Sequence, residues 1–298
     1  MKRFMIGQYG AFDEVKYARD FRSGFYGIEA CLFQDEADTR RLIEASNDHG
    51  FRIGIHFPLY ADRSRQRDAL FLAQDETVRS DAIDWIRREL EALVPVSPDY
   101  VLFHYPKPVI LDDRAGWSLW RFGDPSEYVY ESDYSCDEFQ RRSEALFEWL
   151  SDKSEEYRFT PVLEFDALNR YVYDGDFLTR LLDRHPRIRL CLDTGRLHLQ
   201  DRIDPSFDAK QVIRKFARYA DLIHLKNVKV TDKAEHNNHP VLPRLRPEEG
   251  WAPIEDYLAL VKEGNPDVRI MFEHRSGLVS DDELEACYDW VERLMRKC

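Results

Sequence analysis

Eight short apolar runs, each followed by a longer stretch of mostly helical character, constrain this chain more than any other feature. The runs are "RFMIGQ" (3–8), "YGIEACLF" (26–33), "FRIGIHF" (51–57), "DYVLFHY" (99–105), "TPVLEF" (160–165), "RIRLCLD" (187–193), "ADLIHLK" (220–226) and "DVRIMFEH" (267–274). Most are nearly unbroken in apolar residues, as parallel strands covered on both faces require. Between them, Val78, Ala82, Ile86 and Leu90 recur at helical spacing, as do Phe139, Ser143, Leu146 and Leu150. Leu284, Cys287, Tyr288, Val291 and Met295 form one face of a last helix, opened by "SDDE" (280–283) with Ser280 and Glu283 at capping-box spacing. Further helices are expected near 37–48, 176–184, 208–219 and 253–263, and around 12–22. Strands and helices alternating in this way predict an α/β fold, a single-domain (β/α)8 TIM barrel spanning 1–298. The alternative is an open doubly wound sheet, but no GxGxxG or phosphate-binding loop follows the first strand.

Two connections are too long for plain turns. Residues 106–135 hold Trp117, Trp120, Phe122, Tyr128, Tyr130 and Tyr134, and residues 227–250 hold His236, His239 and several prolines. Both follow a strand, which puts them on the catalytic face of a barrel as lid or pocket wall. A surface insertion with its own small core is the plainer alternative.

Charge and cysteines narrow the partners. A net charge of −13 repels phosphate backbones, so nucleic acid is not an expected partner. No apolar run approaches the ~18 residues of a membrane span, and the start "MKRFMIGQYG" lacks a signal peptide's apolar segment. The five cysteines (Cys31, Cys136, Cys191, Cys287, Cys298) include no CxxC pair, which argues for reduced thiols and a cytoplasmic location.

The strand ends carry the chemistry. His56, His104, Glu164, Asp193, His224 and Glu273-His274 stand at or near the C-terminal ends of six consecutive runs. In a closed barrel these ends face one cavity. Burying even one carboxylate there costs several kcal/mol unless it is paired or bound to a cation, so a ring of them implies a positive centre. Glu164, Asp193, His224 and Glu273 form an oxygen-rich, one-nitrogen set suited to one divalent ion, Mn²⁺ first and Zn²⁺ second, with Co²⁺ or Mg²⁺ also compatible. Singly, each residue has a plainer reading: His56 or His104 as a structural histidine, Asp193 as a helix N-cap.

With these residues in view, the chain resembles the xylose isomerase-like barrels. "LEF" at Glu164, "LDTGRLHL" at Asp193, "IHLKN" at His224 and "MFEH" at Glu273 are similar to the sugar phosphate isomerase/epimerase (AP endonuclease family 2) branch, which includes ketose 3-epimerases. The resemblance implies that Glu164, Asp193, His224 and Glu273 hold the metal. It implies further that Glu164 and Glu273 act as the acid/base pair on opposite faces of the substrate carbon. The expected activity is then isomerisation or epimerisation of a sugar or sugar-derived substrate, by proton removal next to a carbonyl through a metal-stabilised enediolate. His56 and His104 are expected to bind the substrate, and Lys226, Lys107 and Arg275 to neutralise an anionic group on it.

The chain also departs from the family pattern. Where the strand-6 motif usually has His three residues after the Asp, it has Arg196, with His198 two further on, and both are candidate substrate contacts. An arginine binds carboxylate or phosphate but no metal, so it marks an acidic substrate or a salt bridge closing the pocket. In the related endonuclease IV branch, Asp and His of the strand-7 loop help build a multi-zinc site. Here Asn237 and His239 stand there, so a phosphodiesterase is disfavoured, although His239 remains a candidate substrate contact. A metal-dependent hydrolase or dehydratase/lyase on the same ligands is the alternative function. The expected partner is a small sugar-like molecule, with no membrane contact; a homo-oligomer stays open.

Overall fold

The computed structural model describes residues 1–61 and 67–296; Cys298 lies outside them. Eight parallel strands close into a barrel: Phe4–Tyr9, Gly27–Cys31, Arg52–His56, Tyr100–Tyr105, Thr160–Phe165, Arg189–Asp193, Ala220–Leu225 and Arg269–Phe272. They follow one another in chain order around the cylinder. The last pairs with the first, Phe4 opposite Ile270. All eight expected strands are present.

The surrounding helices are α1 (Glu14–Asp20), α2 (Glu36–His49), α3 (Glu76–Leu93), α4 (Cys136–Tyr157), α5 (Arg170–Tyr173), α6 (Phe177–Arg184), α7 (Thr194–Ile203), α8 (Ala209–Phe216), α9 (Ile254–Gly264) and α10 (Asp281–Met295). Asp13, Asp35, Asp75, Ser135, Asn169, Asp193, Asp208 and Ser280 each accept backbone N–H groups at a helix start, and Ser280 with Glu283 completes a capping box. None of the helices is long and apolar enough to cross a membrane. The helix α7 lies outside the stretches expected to be helical, and Asp193 does cap it, as the plainer reading of that residue has it.

Period-two alternation along each strand divides the residues between two cores. Outward side chains pack under the helices, while Met5, Tyr100, Leu102, Val162, Cys191, Leu222 and Met271 fill the cylinder itself. One step further along, the inward positions turn polar: Glu29, His104, Glu164, Asp193, His224 and Glu273. The register sets His104 beside Glu164 and Asp193 beside His224.

Both long connections build structure at the mouth. Residues 106–135 contain a short parallel pair, Val109–Leu111 with Tyr128–Tyr130. They pack around a small core that includes Val109, Leu111, Trp117 and Trp120 and is closed on the barrel side by Ala167, Leu199 and Ile203. Residues 227–250 contain an antiparallel ribbon, Asn227–Val230 with Ala234–His239.

Candidate metal centre and active site

Glu164, Asp193, His224 and Glu273 converge at the mouth. One donor atom from each lies within 4.8 Å of all the others. They arrive from four neighbouring strand ends, and all but Glu273 are fully buried.

His224 is held at both ring nitrogens. Nε2 contacts Glu29 Oε2 at 3.0 Å, while Nδ1 faces Glu164 Oε1 at 3.1 Å and Glu273 Oε2 at 3.5 Å. Glu29 also accepts hydrogen bonds from Tyr100 Oη (2.7 Å) and Tyr9 Oη (3.0 Å). Tyr100 reaches it across the barrel because the third strand carries glycine at 54, where a Cβ would stand 2.1 Å from Tyr100 Cζ. A carboxylate fixing one imidazole nitrogen while the other faces acidic oxygens is the usual setting of a metal-ligating histidine.

Asp193 divides its two oxygens. Oδ1 accepts from the backbone N–H groups of Gly195 (2.8 Å) and Arg196 (3.0 Å), capping α7. Oδ2 points into the cluster and has no hydrogen bond of good geometry, although Lys226 Nζ is 2.7 Å away. Glu164 Oε2 is likewise buried without a well-formed hydrogen bond, with His104 Nε2 at 3.1 Å and His56 Nε2 at 3.3 Å. Two carboxylate oxygens without a well-formed hydrogen bond, beside an imidazole nitrogen turned toward acidic oxygens, match what a divalent cation requires, so the residues fit one.

Charge balance points the same way. Seven carboxylates (Glu29, Asp68, Glu127, Glu164, Asp166, Asp193, Glu273) share three permanent cations, Lys107, Arg196 and Lys226. The rest of the compensation falls to imidazoles. Burial alone would lower His224, but Glu29 and Glu164 more than offset it and hold the ring well above its ordinary value. Against the same burial, Cys31 and Glu164 push His56 up to about 10. Burial, reinforced by Glu273 and Glu164, pushes Asp193 up against the pull of Lys226. Glu273, which its partial burial alone would raise, is held down at about 2 by Lys226 and His224.

The remaining predicted residues divide. His104 donates through Nδ1 to Asp68 (2.8 Å), and its Nε2 meets Arg196 Nη2 (3.1 Å). Arg196 also pairs with Asp166 at 2.5 Å and approaches Asp193 and Glu164 at 3.4 and 3.7 Å. It therefore closes one side of the cluster. Lys226 Nζ lies 2.6 Å from Glu273 Oε2. Other predicted contacts face elsewhere. His198 Nε2 bonds the Gly250 carbonyl at 3.0 Å. His239 bonds the Pro240 carbonyl and packs with His236 on Trp251. Lys107 is caged between Asp68 and Asp166 at 2.8 Å each, which leaves it no access to a ligand. Arg275 is exposed at the rim.

Above the cluster is a cavity of about 210 Å³, bounded by Arg196 and Lys226 below, Trp120 and Arg121 from one connection, and Asn237 and Asn238 from the other. A larger groove of about 470 Å³ lies on the flank between α3 and α4, lined by no strand end.

The architecture and the site define a parallel barrel that gathers acids and imidazoles where its strands end. Residues 15–294 match the model of the xylose isomerase-like TIM barrel family, and the chain belongs to that family. A D-tagatose 3-epimerase-like protein superposes with a TM-score of 0.63 at 15% identity, covering 98% of this chain and 99% of its own. A D-psicose 3-epimerase from Clostridium cellulolyticum H10, solved with D-tagatose, gives 0.62 at 14% identity over 99% and 100%. IolI, solved with a bound zinc atom, gives 0.60 at 12% identity over 98% and 98%. Likeness at this identity establishes the shared fold. No curated protein sequence matches this one.

Proposed function

We propose that this barrel is a divalent-metal-dependent isomerase or epimerase of a sugar or sugar-derived substrate, acting by proton transfer next to a carbonyl. The observation that carries it is the approach of Glu164, Asp193, His224 and Glu273 within 4.8 Å, with Glu29 fixing the His224 ring. Those four residues would hold the ion. Bound there, a divalent cation supplies Lewis-acid stabilisation of negative charge on substrate oxygens.

The chain's own groups do the rest. Glu164 and Glu273 are both held ionised, so either can accept the proton. His56 and His104 flank Glu164 at hydrogen-bonding distance and keep that carboxylate oriented. Trp120 and the ribbon residues Asn237 and Asn238 wall the cavity beside Arg196 and Lys226. The zinc-bearing relative and the epimerases of the same fold support this reading.

The test is solvent exchange. With Mn²⁺ in D₂O, the protein should introduce deuterium next to the carbonyl of its ketose substrate. Glu164→Gln and Glu273→Gln should each abolish the exchange while keeping the wild-type circular dichroism. Full exchange in either variant removes the acid/base assignment, and full exchange after chelation removes the metal.

A further inference from the structure

Lys226 follows the seventh strand two residues after His224, so alternation sends both side chains to the same face. Its ammonium lies 2.7 Å from Asp193 Oδ2 and 2.6 Å from Glu273 Oε2. Those oxygens belong to two members of the proposed ligand quartet. A lysine and a divalent ion cannot share them, because two positive centres at such separation repel strongly in a buried site.

The lysine has somewhere to go. Its stem lies over Gly195, where a Cβ would stand 3.0 Å from Lys226 Cε and 3.1 Å from Cγ. Beyond it opens the cavity of about 210 Å³. Arg121, Arg196, Lys226, Asn237 and Asn238 supply its polar lining, and no carboxylate among the described residues borders it. Arg121 is exposed and has no ion-pair or hydrogen-bond partner among the described residues. A space whose polar groups are cations and amides, set among apolar walls such as Trp120 and Leu199, favours an anion, and this one is smaller than a drug-sized pocket.

We propose that Lys226 is a resident stand-in for the metal, and that a divalent cation entering the quartet expels its ammonium into the cavity. There, with Arg121, it seats an anionic group of the substrate. The inference rests on the metal reading above and adds a substrate class to it: a small polyhydroxylated carboxylate such as a sugar acid.

Calorimetric titration of metal-stripped protein with MnCl₂ tests the exchange. Lys226→Met removes the competitor and should bind Mn²⁺ at least tenfold tighter than wild type. Gly195→Ala keeps the charge but crowds the lysine's stem, and should shift affinity the same way by a smaller factor; it carries the test if Lys226→Met does not fold. D-gluconate, as the anion probe, should bind wild type at least tenfold tighter with Mn²⁺ than without, and Lys226→Met should lose that gain. Sorbitol, its uncharged counterpart, should gain nothing.

Unchanged or weaker Mn²⁺ affinity in the folded variants overturns the exchange while leaving the metal reading standing. An equal gain for sorbitol, or no gain for gluconate, overturns the anionic assignment. If none of the three proteins binds Mn²⁺, the metal reading fails and this inference falls with it.

Discussion

Glu29 and His224 show how much one buried contact settles. Glu29 takes hydrogen bonds from Tyr9, Tyr100 and the His224 ring, and so turns Nδ1 toward the acids. Glu29→Gln would keep the volume but remove the charge that holds the ring in this state. Mn²⁺ affinity should fall about 10–100-fold, as it does when such outer partners are lost, and titration calorimetry would read it directly. An unchanged affinity would mean that His224 is oriented by something else. The sequence offered a signal for Glu29, because an acid within the apolar run "GIEAC" has to be partnered. It stands two positions before its strand end, so a reading confined to the ends of the later strands passes over it. Asp68 and Asp166 gave no such signal. They lie in irregular segments, where nothing periodic marks which way a side chain faces.

At the scale of elements, α7 couples folding to chemistry through Asp193. One carboxylate oxygen starts the helix and the other faces the proposed ion. Asn caps helices about as well as Asp, so Asp193→Asn should keep α7 capped while losing Mn²⁺ binding and the ion pair with Lys226. Asp193→Ala should lose both, with a further cost of ~1 kcal/mol from the missing cap. Thermal melts and metal titration on the pair separate the two roles, and equal melting of the two variants would deny the cap its part. The strands were legible because apolar runs of that length have few other uses. The helix α7 was not, since its buried face includes Thr194, Gly195, His198 and Gln200 and so hides the usual amphipathic stripe. Aromatic residues flagged the insertion at 106–135, but its short parallel strands lie below the reach of periodicity.

Across the whole molecule, the site sets how stability responds to pH. His56 and His224 are raised in the folded protein. In metal-stripped protein their charged forms contribute stability that is full below their ordinary value of about 6.5 and lost as pH climbs through the folded values, about 10 for His56. Metal binding runs the other way, because His224 must give up the Nδ1 proton to become a ligand. The rise in melting temperature on adding Mn²⁺ should therefore be larger at pH 8.5 than at pH 6, and a constant or shrinking rise would count against His224 as a ligand. Scanning fluorimetry with and without the ion measures it. The segment 106–135 adds a consequence of its own. Trp117 and Trp120 pack with Ala167 and against Leu199 and Ile203 of α7, while Ile110 and Tyr134 of the same segment enter the core beneath the helices. That rim is therefore stitched to the helix Asp193 caps and, through Lys107 and Asp166, to Arg196, so grafting a foreign loop in its place would disturb the proposed metal centre as well as the choice of molecules that enter.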